Sequence, residues 1–214
     1  INNNKFDFDF EIIVTDNCSE DDTFEKCKSY AKSDRRIKIY RFIKNYGYQK
    51  SIFFGYGKSN GDCVMQLDCD LQDPITMFSE FIELYKKGYE IVYGIRVKRN
   101  ESKLNQFLRK IYYRLVKMVS EGDIPNDAGD FMLVGRNGVN ALKKVSHQNI
   151  YVRGELFSLG LRRKGIPYTR DNRIEGQTKF NITSLSLLSL AKDGMLSQSN
   201  FAIRISVYFS VIFF

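Results

Sequence analysis

The sequence lacks tryptophan entirely and holds one histidine, four cysteines and three prolines in 214 residues. A lone histidine, with Cys18, Cys27, Cys63 and Cys69 forming no C-x-x-C pair, excludes the common zinc sets. Disulfide scaffolds are short and cysteine-dense, so the four thiols are expected to be reduced, as in a cytosolic compartment. Neither G-x-G-x-x-G nor G-x-x-x-x-G-K-[ST] occurs, which removes both common phosphate loops. No apolar run approaches the roughly 20 residues of a membrane span. The longest, residues 205–214, is uncharged and ends the chain. Ile1 in place of Met, with Phe214 inside an apolar run, makes a chain cut at both ends the expectation.

What is present is globular: 43% hydrophobic and 27% charged residues, enough for one domain with a core. Net charge is +8, from 33 Lys and Arg against 25 Asp and Glu. The excess is local. Arg96, Lys98, Arg99, Lys103, Arg109, Lys110, Arg114 and Lys117 are opposed in their stretch only by Glu101. Apolar residues from Leu104 to Val119 recur there at three- and four-residue steps, the stripe of a basic amphipathic helix. Nucleic acid, an anionic membrane surface or a phosphorylated substrate would each suit that charge, as would plain packing on a sheet. Residues 182–190 are Leu- and Ser-rich, flanked by Lys192 and Arg204. They read as a juxtamembrane helix leading into a span whose cationic side is cytosolic.

Strand-like runs alternate with helical ones through the first half. Residues 10–15, 37–40, 63–67 and 90–94 are short and β-rich. Helices are expected at 23–33 and 49–58, and from Pro74 to about Lys87 with Gly88 as the stop. This is the pattern of a mainly parallel α/β sheet flanked by helices, in which ligands bind beyond the carboxyl ends of strands. Asp16 falls at one such end, and Asp68, Asp70 and Asp73 at another. Carboxylates this close repel unless a cation is bound. Mg²⁺ or Mn²⁺ would suit them and would bridge a diphosphate. A solvated acidic turn, with Asp73 capping the helix after Pro74, is the alternative.

The segment D-C-D-L-Q-D-P resembles the D-x-D-L-Q-D-P of family 2 glycosyltransferases of the GT-A, Rossmann-like fold. The branch it resembles transfers hexoses to polyprenyl phosphates, dolichyl or undecaprenyl. Other segments follow in the family's order. E-I-I-V-T-D-N-C-S-E-D-D-T is similar to E-I-I-x-V-D-[DN]-x-S-x-D-x-T, and N-Y-G-Y-Q-K-S to N-x-G-x-x-x-A with Ser51 for Ala. I-V-Y-G-I-R is similar to V-x-G-x-R, P-N-D-A-G-D-F to D-A-G-D-F, and Y-T-R-D-N-R-I-E-G-Q-T-K-F to Y-x-R-x-x-R-x-x-G-x-S-K-[YF]. Thr178 stands for the usual Ser and Met132 for a common Arg. The family opens with a strand and helix around P-x-[YF]-N-E, to which nothing here corresponds.

The resemblance implies an inverting, metal-dependent transfer from a UDP- or GDP-linked sugar to a polyprenyl phosphate, at the cytoplasmic face of a membrane. Asp16, Asn17, Asn45, Gly47 and Asp68 would bind the nucleotide sugar. Asp70, with Gln72 and Asp68, would hold Mg²⁺ or Mn²⁺. Asp130, or Asp127 as second candidate, would be the base or would orient the acceptor. A phosphate acceptor is already largely ionised, so orientation is the greater expectation. Arg96 and Arg99 would face the acceptor phosphate. Arg170, Arg173 and Lys179 would close over donor diphosphate and acceptor phosphate. The expected layout is a catalytic domain over 1–180, a juxtamembrane region over 181–204 and the start of a transmembrane helix over 205–214. Homo-oligomerisation is allowed and nucleic acid is not an expected partner. A saccharide hydroxyl as acceptor, a basic nucleic-acid-binding domain and a non-catalytic remnant are the alternatives.

Overall fold

A computed structural model of the chain describes residues 8–70, 72–97, 125, 128–146 and 150–170. It divides into two compact units, residues 1–64 and 65–214.

In the first unit the β-branched run Ile12–Asp16 forms β1, parallel to β2 (Ile37–Arg41). Helices α1 (Thr23–Ser33) and α2 (Tyr48–Lys58) follow each strand in turn. The register sets Asp16 opposite Arg41 at the carboxyl ends of both strands. Tyr40 and Phe42 of the β2 segment meet Phe54 of α2 edge-on, with centroids 5.3 and 5.1 Å apart. Ser51, where the family has Ala, is buried and donates to the Thr15 hydroxyl at 2.9 Å. The hydroxyl that departs from the pattern is therefore paired, as a buried polar group must be.

In the second unit four strands take the order β3-β5-β4-β6: β3 Cys63–Gln66, β4 Ile91–Arg96, β5 Ala128–Gly135 and β6 Arg163–Tyr168. β6 runs parallel to β4, but β5 is antiparallel to it. This second sheet is thus mixed, where the alternation of the first half suggests mainly parallel pairing; the β1–β2 pair is parallel. An antiparallel strand on an otherwise parallel sheet is common in α/β folds. Seven of its eight residues are buried, as befits a strand covered on both faces. Met132 is one of them at 0% exposure, so the departure from Arg fills the core.

A short 3₁₀ turn at Ile75–Met77 precedes α3 (Phe78–Lys86), which Gly88 stops at φ 86°. Its amide donates to the Tyr85 carbonyl, and the Tyr89 amide to that of Leu84, a left-handed helix ending for which glycine is best suited. Helices α4 (Arg136–Leu142) and α5 (Val152–Ser158) supply Val139, Leu142, Leu156 and Phe157 to the core. Phe81 of α3 packs against Phe131 at 4.9 Å.

One irregularity shapes the site. Pairing between β4 and β5 passes from Tyr93↔Met132 to Ile95↔Ala128. Gly129, Asp130 and Phe131 therefore lie opposite the single residue Gly94. Such a bulge re-aims the side chains it carries. The four cysteines are free thiols. Among the described residues no helix is long and apolar enough to cross a membrane. The basic stretch beyond Val97, the 181–204 region and the 205–214 tail lie outside the described residues.

Candidate functional site

In the first unit the chain brings together four residues expected to bind nucleotide sugar. Asp16 is 4% exposed and accepts from the Ser19 amide at 3.0 Å, with Arg41 Nε 3.4 Å from its Oδ2. Asp16 Oδ2 has no hydrogen-bond partner in the described structure, although a buried carboxylate oxygen ordinarily has one. Asn17 donates to Asn45 Oδ1 at 2.8 Å, and its own oxygen accepts from the Tyr46 amide at 2.9 Å. Asn45 Oδ1 also accepts from the Gly47 amide. Gly47 begins α2 at φ 89°, a conformation side chains rarely adopt. The two asparagines thus tie the loop after β1 to the loop after β2.

In the second unit the carboxylates after β3 meet the segment after β6. Arg170 Nη2 lies 3.3 Å from Asp68 Oδ2 and 3.3 Å from Asp70 Oδ2, and Arg170 Nε lies 3.2 Å from Asp73 Oδ1. Asp70 Oδ1 accepts from the Gln72 backbone amide at 3.2 Å, so Gln72 supports the loop through its main chain. Asp73 does not cap the helix as its place before Pro74 suggests: the turn has no side-chain cap. The residue is 3% exposed and accepts from the Tyr168 hydroxyl at 2.6 Å. Burial, reinforced by this bond, pushes the Tyr168 phenol up to about 12.

Arg96, expected at the acceptor phosphate, points its Nε at the Tyr168 hydroxyl at 3.3 Å. Burial disfavours its charge, but Tyr168, Asp73 and Asp130 outweigh that and raise its pKa further. Asp130, in the bulge, faces Arg153 at 3.6 Å. Arg153 also donates to the Ala128 carbonyl at 2.7 Å and to the Tyr151 hydroxyl. Asp68, Asp70, Arg170, Asp73, Tyr168, Arg96, Asp130 and Arg153 therefore form one polar chain along the end of the sheet. Tyr168 and Arg153 are members that the sequence reading assigns no role. Tyr168 has a signal, since it alternates with Arg170 in the Y-x-R motif. Arg153 has none, because the Ala128 carbonyl and Asp130, which it holds, are distant in sequence. Asp127, Arg99, Arg173 and Lys179 lie outside the described residues, as does His147.

Asp68 and Asp70 present oxygens to one shared cation, here a guanidinium. Among the described residues no set of three Asp, Glu, His or Cys side chains encloses a metal position. Two carboxylates suit Mg²⁺ or Mn²⁺ in an open site, since Mg²⁺ is usually held by one or two carboxylates together with waters and substrate phosphates.

Each unit thus sets acidic residues at the carboxyl ends of its strands with arginines beside them, where α/β folds bind ligands. Comparison with known proteins makes the class definite. The glycosyl transferase family 2 profile matches residues 1–142, and the chain belongs to that family. An uncharacterized glycosyltransferase of Bacillus subtilis, YkcC, is 32% identical over 95% of this chain and 62% of its own length. A prophage bactoprenol glucosyl transferase homolog of Escherichia coli is 31% identical over 96% of this chain and 67% of its own. The bactoprenol glucosyl transferase of Shigella phage SfX is 30% identical, over 94% and 66%. The chain spans about three fifths of the length of the first of these relatives. Among solved structures, residues 1–349 of S. aureus TarS align over 77% of this chain and 52% of that one, with TM-score 0.49 and 15% identity.

Proposed function

We propose that this chain is the donor-binding and catalytic part of an inverting hexosyltransferase. It moves a sugar from a nucleoside diphosphate to a polyprenyl phosphate at the cytoplasmic face of a membrane. The observation that carries the reading is the polar chain of the second unit. It links the carboxylates suited to a metal–diphosphate complex, through Asp73, Tyr168 and Arg96, to the re-aimed Asp130. The relatives named as bactoprenol glucosyl transferases support the acceptor class, and the basic 96–118 segment suits an anionic surface.

In the transfer, an acceptor phosphate oxygen attacks the anomeric carbon. The bond from that carbon to the diphosphate oxygen breaks, and the nucleoside diphosphate departs with the electron pair. Configuration inverts in this single displacement. Asp68 and Asp70 would hold the divalent ion, which when bound neutralises charge on the leaving diphosphate. Arg170 adds a bidentate phosphate donor, a task to which guanidinium is suited. Arg96, kept charged by its neighbours, receives the acceptor phosphate. Asp130, held by Arg153, orients the acceptor or the sugar hydroxyls. An ionised phosphate needs little deprotonation, so positioning is the main contribution.

The test is turnover by the full-length protein with a panel of UDP- and GDP-sugars, undecaprenyl phosphate and Mn²⁺ or Mg²⁺. Formation of a lipid-linked phosphosugar is expected, and Asp70→Ala should abolish its metal-dependent part. Transfer only to free saccharides, with a rate that rises with ionisation of one carboxylate, would move the acceptor to a hydroxyl. Full turnover by Asp70→Ala would remove the metal assignment.

A further inference from the structure

We propose that Arg170 is the resident counter-ion of the Asp68, Asp70 and Asp73 cluster while no donor is bound, and that it gives up Asp68 and Asp70 when a divalent ion arrives with a nucleoside diphosphate. Metal binds weakly alone and tightly with nucleotide, because the nucleotide supplies the anion that takes the displaced guanidinium. The inference rests on the function proposed above and adds an order and a coupling to it.

One guanidinium meets three carboxylates at 3.2 to 3.3 Å. The two oxygens it shares through Nη2, Asp68 Oδ2 and Asp70 Oδ2, belong to the residues suited to the metal. A Mg²⁺ ion takes oxygens at about 2.0–2.1 Å. Two cations cannot both sit against the same pair of oxygens without strong repulsion. Arg170 and the metal are therefore alternatives at this place.

The surroundings let Arg170 leave. Its side chain is 22% exposed, and it lies two residues past the end of β6, so its head can swing without disturbing the sheet. Asp73, the most buried carboxylate of the three, keeps the Tyr168 hydroxyl at 2.6 Å and the nearby charge of Arg96. Asp73 Oδ2 has no hydrogen-bond partner among the described residues, so this carboxylate keeps unused accepting capacity. Removing Arg170 without a replacement would leave carboxylates crowded and uncompensated. A metal alone restores the charge but takes two of the guanidinium's three carboxylates from it, leaving Asp73. A metal carried by a diphosphate satisfies both. Apparent metal affinity then falls by the fraction of molecules in which Arg170 occupies the cluster, and by reciprocity metal raises nucleotide affinity by the same factor.

The experiment is a titration of Mn²⁺ followed by electron paramagnetic resonance of the free ion, on the full-length protein, with and without UDP or GDP. Wild type is expected to bind Mn²⁺ roughly tenfold or more tightly with nucleotide than without, within the usual range for coupled sites. Arg170→Gln should bind Mn²⁺ alone about tenfold more tightly than wild type and lose most of the nucleotide enhancement. Arg170→Lys, whose single ammonium cannot span three carboxylates, should fall between them, and it stands in should Arg170→Gln not fold. A folded Arg170→Gln or Arg170→Lys with no gain in Mn²⁺ affinity overturns the exchange. If Asp70→Asn still abolishes nucleotide-supported Mn²⁺ binding, that outcome leaves the metal assignment intact. Absence of Mn²⁺ uptake by wild type even with nucleotide overturns both.

Discussion

Gly94→Ala separates packing from mere backbone freedom at the centre of the site. A β-carbon on Gly94 would lie 2.5 and 2.9 Å from two ring atoms of Tyr168 and 3.0 Å from Phe131 Cδ1. Ordinary carbon contacts begin near 3.5 Å, so something must move by several tenths of an ångström or more. Neither ring is a loose end. Phe131 is 1% exposed and Tyr168 6%; they touch each other, and Phe131 touches Phe81. Overpacking of a held core costs about 1–3 kcal/mol, and two obstructed rings place this case in the upper half of that range. For a chain of this size each kcal/mol shifts the melting temperature by about 2–4 °C. The expected loss is therefore about 4–12 °C. Gly57→Ala is the control: it lies in α2, a β-carbon there meets nothing within 4 Å, and alanine should gain about 0.5–1 kcal/mol through helix propensity. Urea unfolding and thermal melts of both variants decide the matter. Displacing Tyr168 also moves the hydroxyl that holds Asp73, so Mn²⁺ uptake with nucleotide should weaken in Gly94→Ala alone. Stability within about 0.5 kcal/mol of wild type, the size of an ordinary surface change, would refute the packing argument.

Asp130→Asn should lower kcat by about 10²-fold, the order lost when a reacting group is misplaced by about 1 Å, while the KM for donor changes little. Arg153→Lys keeps the charge but loses the fork to Ala128 and Tyr151, and a smaller fall is expected; unchanged turnover in both variants sinks the role given to Asp130. Tyr168 carries a pH signature. Its folded pKa, about 12, stands above the model-compound value of 10.0, so its stabilising share is whole below pH 10 and is lost as pH rises through 12. Tyr168→Phe should flatten the decline of urea stability above pH 10, and identical slopes in the two proteins would remove the assignment.

The first seven elements, β1 to β4 with their helices, were legible because each is a short β-rich or helical run punctuated by local signals such as Asp16, Gly47, Gly61 and Gly88. The second half was not. β5 is buried on both faces and shows no alternation, so residues 128–135 read as a motif without a strand. Helices of seven residues such as α4 and α5 are too short for a periodic stripe. β6 contains Pro167, which argues against a strand. It is tolerated because β6 ends the order β3-β5-β4-β6, where an edge strand need not donate on both sides. At the site, the acidic spacing picks out Asp68, Asp70 and Asp73 as a group that needs a cation, and Arg170 meets all three; the alternative, Asp73 as a helix cap, does not hold. The competing partner was Tyr168, 95 residues away, and no local rule sees that distance.

The charges of the polar chain explain why this edge of the sheet is poised for a ligand pair. Among the described residues it contains four carboxylates, Asp68, Asp70, Asp73 and Asp130, and three guanidiniums, Arg96, Arg153 and Arg170. Each arginine is already engaged: Arg153 with Asp130, Arg96 with Tyr168 beside Asp73, Arg170 with the acidic cluster. On the proposed function, an incoming diphosphate would meet no idle arginine among these described residues, and one carboxylate too many. Among these residues it would have to bring positive charge with it or draw a guanidinium away from its carboxylates. On the proposed exchange a divalent ion on Asp68 and Asp70 would do both, compensating the acids and freeing Arg170 for the phosphate. The acid excess, a liability in an empty fold, would then be what makes metal and donor require one another.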